Sequence, residues 1–236
     1  MKAYGGGQVE DARKNVNKIR VLFLGDEGVG KTSIIVTLIS DNFPRMVHKT
    51  YHPVTISPDH YLLPNKVYTQ LIDTSTLKQD EQNTDSQIEK ANVIILVYDV
   101  NNFDCIKRLK TYWMPRIIKI DDKVPVIFVG NKVDLRSSKA DDNEHSNLLN
   151  HHFEQFQQVQ MGIECSAKVY INLIDVVAAA QKTVLFPLTP LYDSIERQLK
   201  PDYVKALLRI FRICDKDGDG IMDDQDLADL QKEVFN

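Results

Sequence analysis

The sequence predicts an α/β fold, a mostly parallel sheet with helices on both faces, followed by a small all-α helix–loop–helix. Three observations carry this reading. Short apolar runs at 19–24, 67–72, 93–97, 124–129 and 161–165 alternate with helical stretches at 31–39, 104–120, 144–157 and 171–185, the pattern of strand–helix–strand units. The first run leads straight into a G-x-x-x-x-G-K-[ST] loop, Gly25-Asp26-Glu27-Gly28-Val29-Gly30-Lys31-Thr32, which opens the first helix. Beyond Pro187, Pro190 and Pro201 the alternation stops and a helix, an acidic loop and a second helix follow.

Taken in order, residues 1–17 are polar and Gly-containing and read as a loose tail. The unit 18–186 then begins with the strand 19–24. In the loop that follows, backbone N–H groups converge on phosphate oxygens, helped by the positive end of the helix behind them. Gly30, without a Cβ, allows close approach of the backbone. Lys31 is expected to reach the β- and γ-phosphates and the Thr32 hydroxyl to hold Mg²⁺. The nucleotide-binding set here is Glu27, Gly28, Val29, Gly30, Lys31, Thr32 and Ser33. Asp73 ends the strand 67–72 and is placed to reach Mg²⁺ through water. Ligands of such sheets sit beyond the C-terminal ends of the strands.

Two later segments name the base. Asn131-Lys132-Val133-Asp134 follows the strand 124–129. An N-K-x-D tetrad selects guanine, because the Asp134 carboxylate accepts from N1–H and the exocyclic amine, a donor pair that adenine lacks. Ser166-Ala167-Lys168 follows the strand near Ile163 and brings a backbone N–H to the guanine O6. The polar stretch 134–147 reads as an insertion, and 187–201 as a proline-bearing linker that stops the last helix.

Residues 202–236 carry a second motif. Asp215, Asp217 and Asp219 stand at positions 1, 3 and 5 of an EF-hand loop, with Gly220 at 6, the Ile221 carbonyl at 7, Asp223 at 9 and Asp226 at 12. Asp226 is one methylene shorter than the usual Glu, so weaker Ca²⁺ binding, or a relative gain for Mg²⁺, is expected. Val204, Leu207, Leu208 and Phe211 make one flanking apolar stripe; Leu227, Leu230 and Val234 make the other.

Composition sets outer bounds. The chain has 236 residues, 43% hydrophobic and 26% charged, with a net charge of −4. That balance is globular and speaks against bulk nucleic-acid binding. Cys105, Cys165 and Cys214 are far apart, without a C-x-x-C pair, so neither a disulfide framework nor a zinc site is expected and a reducing compartment follows. No apolar run approaches the about 18 residues needed to span a bilayer. Lys2 stands where myristoylation requires glycine, and Glu233-Val234-Phe235-Asn236 is not a prenylation box.

The phosphate loop, Asp73, the N-K-x-D tetrad and Ser166-Ala167-Lys168, in this order, resemble the Ras superfamily of small GTPases over residues 18–186. The resemblance implies a P-loop NTPase-type small GTPase fold with a six-stranded sheet, and GTP/GDP and Mg²⁺ as ligands. It also implies a role for Thr55 in Val54-Thr55-Ile56, matching the first-switch threonine that binds Mg²⁺ and contacts the γ-phosphate. The match departs after Asp73, where D-x-x-G-Q is expected and Asp73-Thr74-Ser75-Thr76-Leu77 stands. Leu77 replaces the glutamine that orients the attacking water, and a leucine cannot hydrogen-bond water. Gln79 and Gln82 lie nearby. Glu27 occupies the usual second glycine, where it brings negative charge near the γ-phosphate, crowds an arginine finger supplied by a partner, or points into solvent. No catalytic residue is assigned with certainty, Lys31 and Thr55 assisting, and slow hydrolysis is expected.

The combination with an EF-hand narrows the resemblance. Ala91-Asn92-Val93-Ile94, Tyr98 to Asn102, Trp113-Met114-Pro115, and Pro190-Leu191-Tyr192-Asp193 through Leu207-Leu208-Arg209-Ile210-Phe211 resemble the Miro family, the mitochondrial Rho-like GTPases. Trp113 and Pro115 read more simply as helix core and helix stop. The family implies a cytosol-facing place on the mitochondrial outer membrane, effector or adaptor proteins of mitochondrial motors as partners, and a longer chain with a paired EF-hand and an anchor. On that basis the EF-hand here is expected to be one of a truncated pair rather than a lone hand packed on the GTPase domain, and this chain alone is expected to be cytosolic, without membrane contact. Three functional readings stand open: a GTP-dependent switch, a scaffold that holds nucleotide constitutively, and a Ca²⁺-sensing adaptor module.

Overall fold

Residues 21–24 are apolar on both faces of the chain, and the structure buries all of them, with Ile19. In the computed structural model the strand β1 runs Lys18–Leu24 and stands at the centre of the sheet. The described residues are 18–46, 50–75, 80–136, 156–187, 192–193, 198–216, 218–226 and 228–229. They form two compact units, Met1–Pro187 and Leu188–Asn236. The tail 1–17, most of the insertion 134–147, most of the helix expected at 144–157, and Thr76, Leu77 and Gln79 lie outside the described residues.

In the first unit, β1 is followed by α1 (Lys31–Ser40), β2 (Val54–Ile56), β3 (Tyr68–Ile72), α2 (Glu81–Lys90), β4 (Val93–Asp99), α3 (Phe103–Arg108), a π turn (Leu109–Trp113), α4 (Met114–Ile120), β5 (Val126–Asn131), β6 (Val159–Glu164) and α5 (Leu173–Leu185). The six strands lie in the order β2-β3-β1-β4-β5-β6. All neighbours are parallel except β2 with β3, which is antiparallel. β4 and β5 are buried almost end to end, as expected of parallel strands covered on both faces. The core lies between the sheet and these helices: Phe23, Leu24, Ile34, Leu38, Ile94, Leu96, Phe128, Val176 and Val177 are all fully buried or nearly so.

β2 falls where the sequence reading had no apolar run, and two helical elements also differ from that reading. Residues 81–90 are helical, although no helical stretch is expected there; Glu81–Lys90 buries only Thr84 and Ile88, so it has a single buried apolar residue and no stripe to read. The helix expected over 104–120 is helical throughout but contains the π turn. Pro115 does not stop it and sits in the first turn of α4. A widened turn just before Pro115 relieves the clash between its ring and the preceding turn, and the missing N–H has no α-helical bond to break.

In the second unit, β7 (Tyr192–Asp193) pairs antiparallel with β8 (Gln198–Leu199), and α6 spans Pro201–Cys214 with proline in its first turn. Val204, Leu207, Leu208 and Phe211 line an apolar cavity of about 370 Å³ with Leu199, Ile210 and Met222. Leu227, Leu230 and Val234 fall outside the described residues. Among the described residues no helix is long and apolar enough to cross a membrane.

Candidate nucleotide site

The C-terminal ends of β1, β3, β4, β5 and β6 face one rim of the sheet, and every loop named by the motifs leaves from there. After Leu24 the chain turns through Gly25 (φ 139°), Gly28 (φ 77°) and Gly30 (φ 99°). A Cβ at Gly25 would lie 2.1 Å from the Val97 carbonyl oxygen, and one at Gly30 would lie 2.3 Å from Asn131 Nδ2. Glycine is therefore required at both positions by the walls of the site itself as well as by the dihedrals. Gly30 caps α1 without any side-chain hydrogen bond to the first turn. The first-turn N–H groups of a helix have no intrahelical partner, and with the helix dipole behind them they suit an anion.

Lys31 is buried, and its Nζ donates to the Gly25 and Asp26 carbonyls at 2.9 Å each. Burial lowers its pKa, opposed by the carboxylates of Asp73, Asp26 and Glu27. Thr32 Oγ1 donates to Asp73 Oδ2 at 2.6 Å. The same carboxylate accepts from Tyr51 N at 2.9 Å and, through Oδ1, from Thr74 N at 3.0 Å. Burial pushes the Asp73 pKa up, against the bonds from Thr32 and Tyr51. A hydroxyl and a carboxylate thus already converge where a hard divalent cation prefers oxygen ligands, so these residues fit Mg²⁺. Ser33 is buried behind them, and Val29 is packed into the core. Glu27 and Gly28 are exposed. Glu27 borders a cavity of about 310 Å³ with Asp26, Ser75, Arg108, Tyr112 and Arg116.

Thr55 is not brought to this cluster. It lies exposed on β2, opposite Gln70, while the backbone that reaches Asp73 belongs to Tyr51. Thr50 and Tyr51 line a cavity of about 250 Å³ with Asp73, Thr74 and Ser75. The sequence reading overlooked them because a long loop offers no periodicity to count along. Gln82 is exposed on α2.

At the other end of the rim, Asn131 ties three loops together. Its Nδ2 donates to the Val29 carbonyl at 2.9 Å, and its Oδ1 accepts from Ala167 N at 3.1 Å. Lys132 is held in the left-handed region (φ 70°) with its Nζ on Asp99 Oδ2 at 2.8 Å. Burial raises the Asp99 pKa, but the Lys132 ammonium and the Asn101 donors outweigh it and hold the carboxyl below its ordinary range. Asp99 was missed in the sequence, although its position at the end of an apolar strand is the signal that identified Asp73. Asp134 lies in the 3₁₀ turn Val133–Leu135 and accepts from Ser166 Oγ at 2.5 Å. Its other oxygen stands 4.0 Å from Lys168 Nζ. Ser166 and Ala167 are buried, and Lys168 is exposed. The bridge Ser166–Ile171 closes their loop.

In the second unit the acidic loop is folded on its own backbone. Asp215 accepts from Gly218 N at 2.8 Å and Gly220 N at 3.0 Å, and Asp219 accepts from Ile221 N at 2.7 Å. Asp223 accepts from Gln225 N and Asp226 N, and Asp226 from Lys216 N. Asp217 lies outside the described residues. Among the described residues no group of three or more His, Cys, Asp or Glu is gathered around a metal position.

Known proteins resemble this chain over most of its length. Over 218 residues, 92% of this chain, it is 39% identical to "Mitochondrial Rho GTPase 1" of Mycosarcoma maydis, covering 29% of that protein. It is 38% identical to the protein of the same name from Cryptococcus neoformans var. neoformans serotype D, strain JEC21, covering 32% of it. The chain thus spans about a third of the length of these curated relatives. Residues 20–186 match the Ras family, whose members bind guanine nucleotide with Mg²⁺ and hydrolyse GTP. A phosphate loop, a carboxylate on its threonine and an N-K-x-D tetrad lie along one sheet edge, and the match covers most of the chain; by both, this protein belongs to the Ras family of GTPases.

Proposed function

We propose that residues 18–186 bind GTP and GDP with Mg²⁺ and act as a guanine-nucleotide switch with slow hydrolysis. The carrying observation is that the polar groups of Lys31, Thr32, Asp73, Asn131, Ser166 and Asp134 lie along one rim of the sheet, with Asn131 bonded to both the phosphate loop and the 166–168 loop. In this reading the N–H groups of 27–33 hold the phosphates, and Lys31, resting on the Gly25 and Asp26 carbonyls, turns its third ammonium donor to a phosphate oxygen. Thr32 and Asp73 hold the cation, which neutralises charge on the β- and γ-phosphates when bound. Asp134 accepts from the guanine N1–H and amine, the Ala167 N–H faces O6, and Lys132 and Lys168 flank the base. The segments 43–56, with Thr55, and 74–86 respond to the γ-phosphate.

Slow turnover follows from Leu77, which cannot orient water. The 38–39% identity to the two relatives supports a Miro-like protein that controls mitochondrial transport and distribution. Its place would be the outer membrane facing the cytosol, with motor adaptors as effectors. Ca²⁺ enters this reading through Asp215, Asp217, Asp219, Ile221, Asp223 and Asp226.

The test loads purified protein with GTP and Mg²⁺, removes free nucleotide and follows what is retained by HPLC. Slow conversion to GDP is expected, accelerated in Leu77→Gln. GTP that persists unchanged for hours, also in that variant, favours constitutive display, and no retained guanine nucleotide overturns the proposal. Lys31→Ala should keep the fold, read by circular dichroism, and lose retention. For the acidic loop, Asp226→Glu should tighten Ca²⁺ binding about tenfold by calorimetry, since the longer side chain coordinates through both oxygens.

A further inference from the structure

The phosphate loop carries a side chain that its motif does not ask for. Asp26 occupies the second position, and its carboxylate is largely shielded, about 16% exposed. Arg108 Nε donates to both of its oxygens, at 3.0 and 2.9 Å, and Trp113 Nε1 donates to Oδ1 at 3.0 Å. These two donors are five residues apart, which in an α-helix turns them about 140° away from each other. Between them lies the π turn, where the Met114 N–H bonds the Leu109 carbonyl five residues back. That wider turn brings residues i and i+5 to the same side, so the π turn is what lets Arg108 and Trp113 grip one carboxylate. Tyr112 completes the support, its ring 4.7 Å below the Arg108 guanidinium and edge-on to Trp113 at 5.0 Å.

The same residue acts at its other end. The Asp26 carbonyl is one of the two on which the Lys31 ammonium rests, at 2.9 Å. We propose that Asp26 is a positioning residue for nucleotide binding: its carboxylate, anchored to the π turn by Arg108 and Trp113, fixes the carbonyl that presents Lys31 to the phosphates. The inference rests on the reading of this loop as the nucleotide site. It assigns the π turn a purpose, since a regular helix would leave Asp26 with one donor and the loop with one anchor.

Trp113 is the sole tryptophan of the sequence, so its emission reports the anchor directly. The experiment uses the whole chain as wild type, Asp26→Asn and Asp26→Ala. Each is titrated with GDP and Mg²⁺ while Trp113 emission is recorded, and bound nucleotide is counted by HPLC. Asp26→Asn keeps the shape and an acceptor for Trp113 but loses the charge that Arg108 needs. It is the informative variant should Asp26→Ala fail to fold. The wild type should bind nucleotide with a change in emission. Release of GDP should be about tenfold faster in Asp26→Ala, the loss of a charge-assisted anchor, with Asp26→Asn between them and the emission response reduced in the same order. Wild-type release rates and emission response in both variants overturn the proposal while leaving the nucleotide reading intact. A wild type that binds no nucleotide overturns both.

Discussion

Asn131 shows at the residue scale how one side chain replaces a stretch of secondary structure. It is buried, and its amide satisfies the Val29 carbonyl and the Ala167 N–H at once. Replacement by alanine strands both groups, and each unpaired buried polar group costs about 1–3 kcal/mol. Asn131→Ala should therefore lower stability by about 2–4 kcal/mol in urea unfolding, and a loss under about 0.5 kcal/mol would show that water replaces the amide. Asp99 gives a pH-dependent prediction. Its folded pKa lies below the ordinary 3.8, so the stabilisation from Lys132 is complete above the unfolded value and is lost as pH falls through the folded one. The stability gap between wild type and Asp99→Asn should close on acidification from about pH 7 to about pH 3; a constant gap contradicts the assignment. The motif residues Gly30, Lys31, Thr32, Asn131 and Asp134 were legible because their chemistry is written in short spacings. Asp26, Arg108 and Trp113 were not, because residues 82 and 87 positions apart meet only after the sheet has formed.

At the scale of the element, five of the six strands of the main sheet were legible, while β2 and one helix were not. Parallel strands buried on both faces leave continuous apolar runs, so β1, β4 and β5 declared themselves within two residues of their bounds. α2 did not, because Thr84 and Ile88 are its only buried residues and two points define no period. Its hold on the sheet is correspondingly slight. Ile88→Ala should cost about 2–4 kcal/mol and release α2 in amide hydrogen exchange before β1 or β4. Uniform exchange across all three would mean that α2 is held elsewhere. One candidate hold is visible: Arg116 of α4 donates to Asp85 Oδ1 at 2.8 Å and to the Glu81 carbonyl at 3.2 Å. The run from α3 to α4 thus touches the phosphate loop at one point and α2 at another. The π turn inside it was invisible to sequence reading, since Pro115 signals a break in an α-helix and carries no sign of how the break is accommodated.

The whole molecule divides where the prolines cluster, and the buried core cluster lies entirely between Ile19 and Ala180. A chain ending at Pro187 should therefore unfold cooperatively, with a melting temperature within a few degrees of the intact chain and the same nucleotide retention. A broad, non-cooperative transition would show that residues 188–236 complete the first core. One consequence of Asn131 reaches across the entire rim. The groups proposed to meet the base and those proposed to meet the phosphates are joined by a single amide, so the two ends of a ligand are not independent contributors. Guanosine alone and pyrophosphate alone would each meet a rim whose other half is unfilled, and the intact nucleotide would bind more tightly than the two fragments together imply. By reciprocity, whatever one fragment gains from the presence of the other must be returned in equal measure.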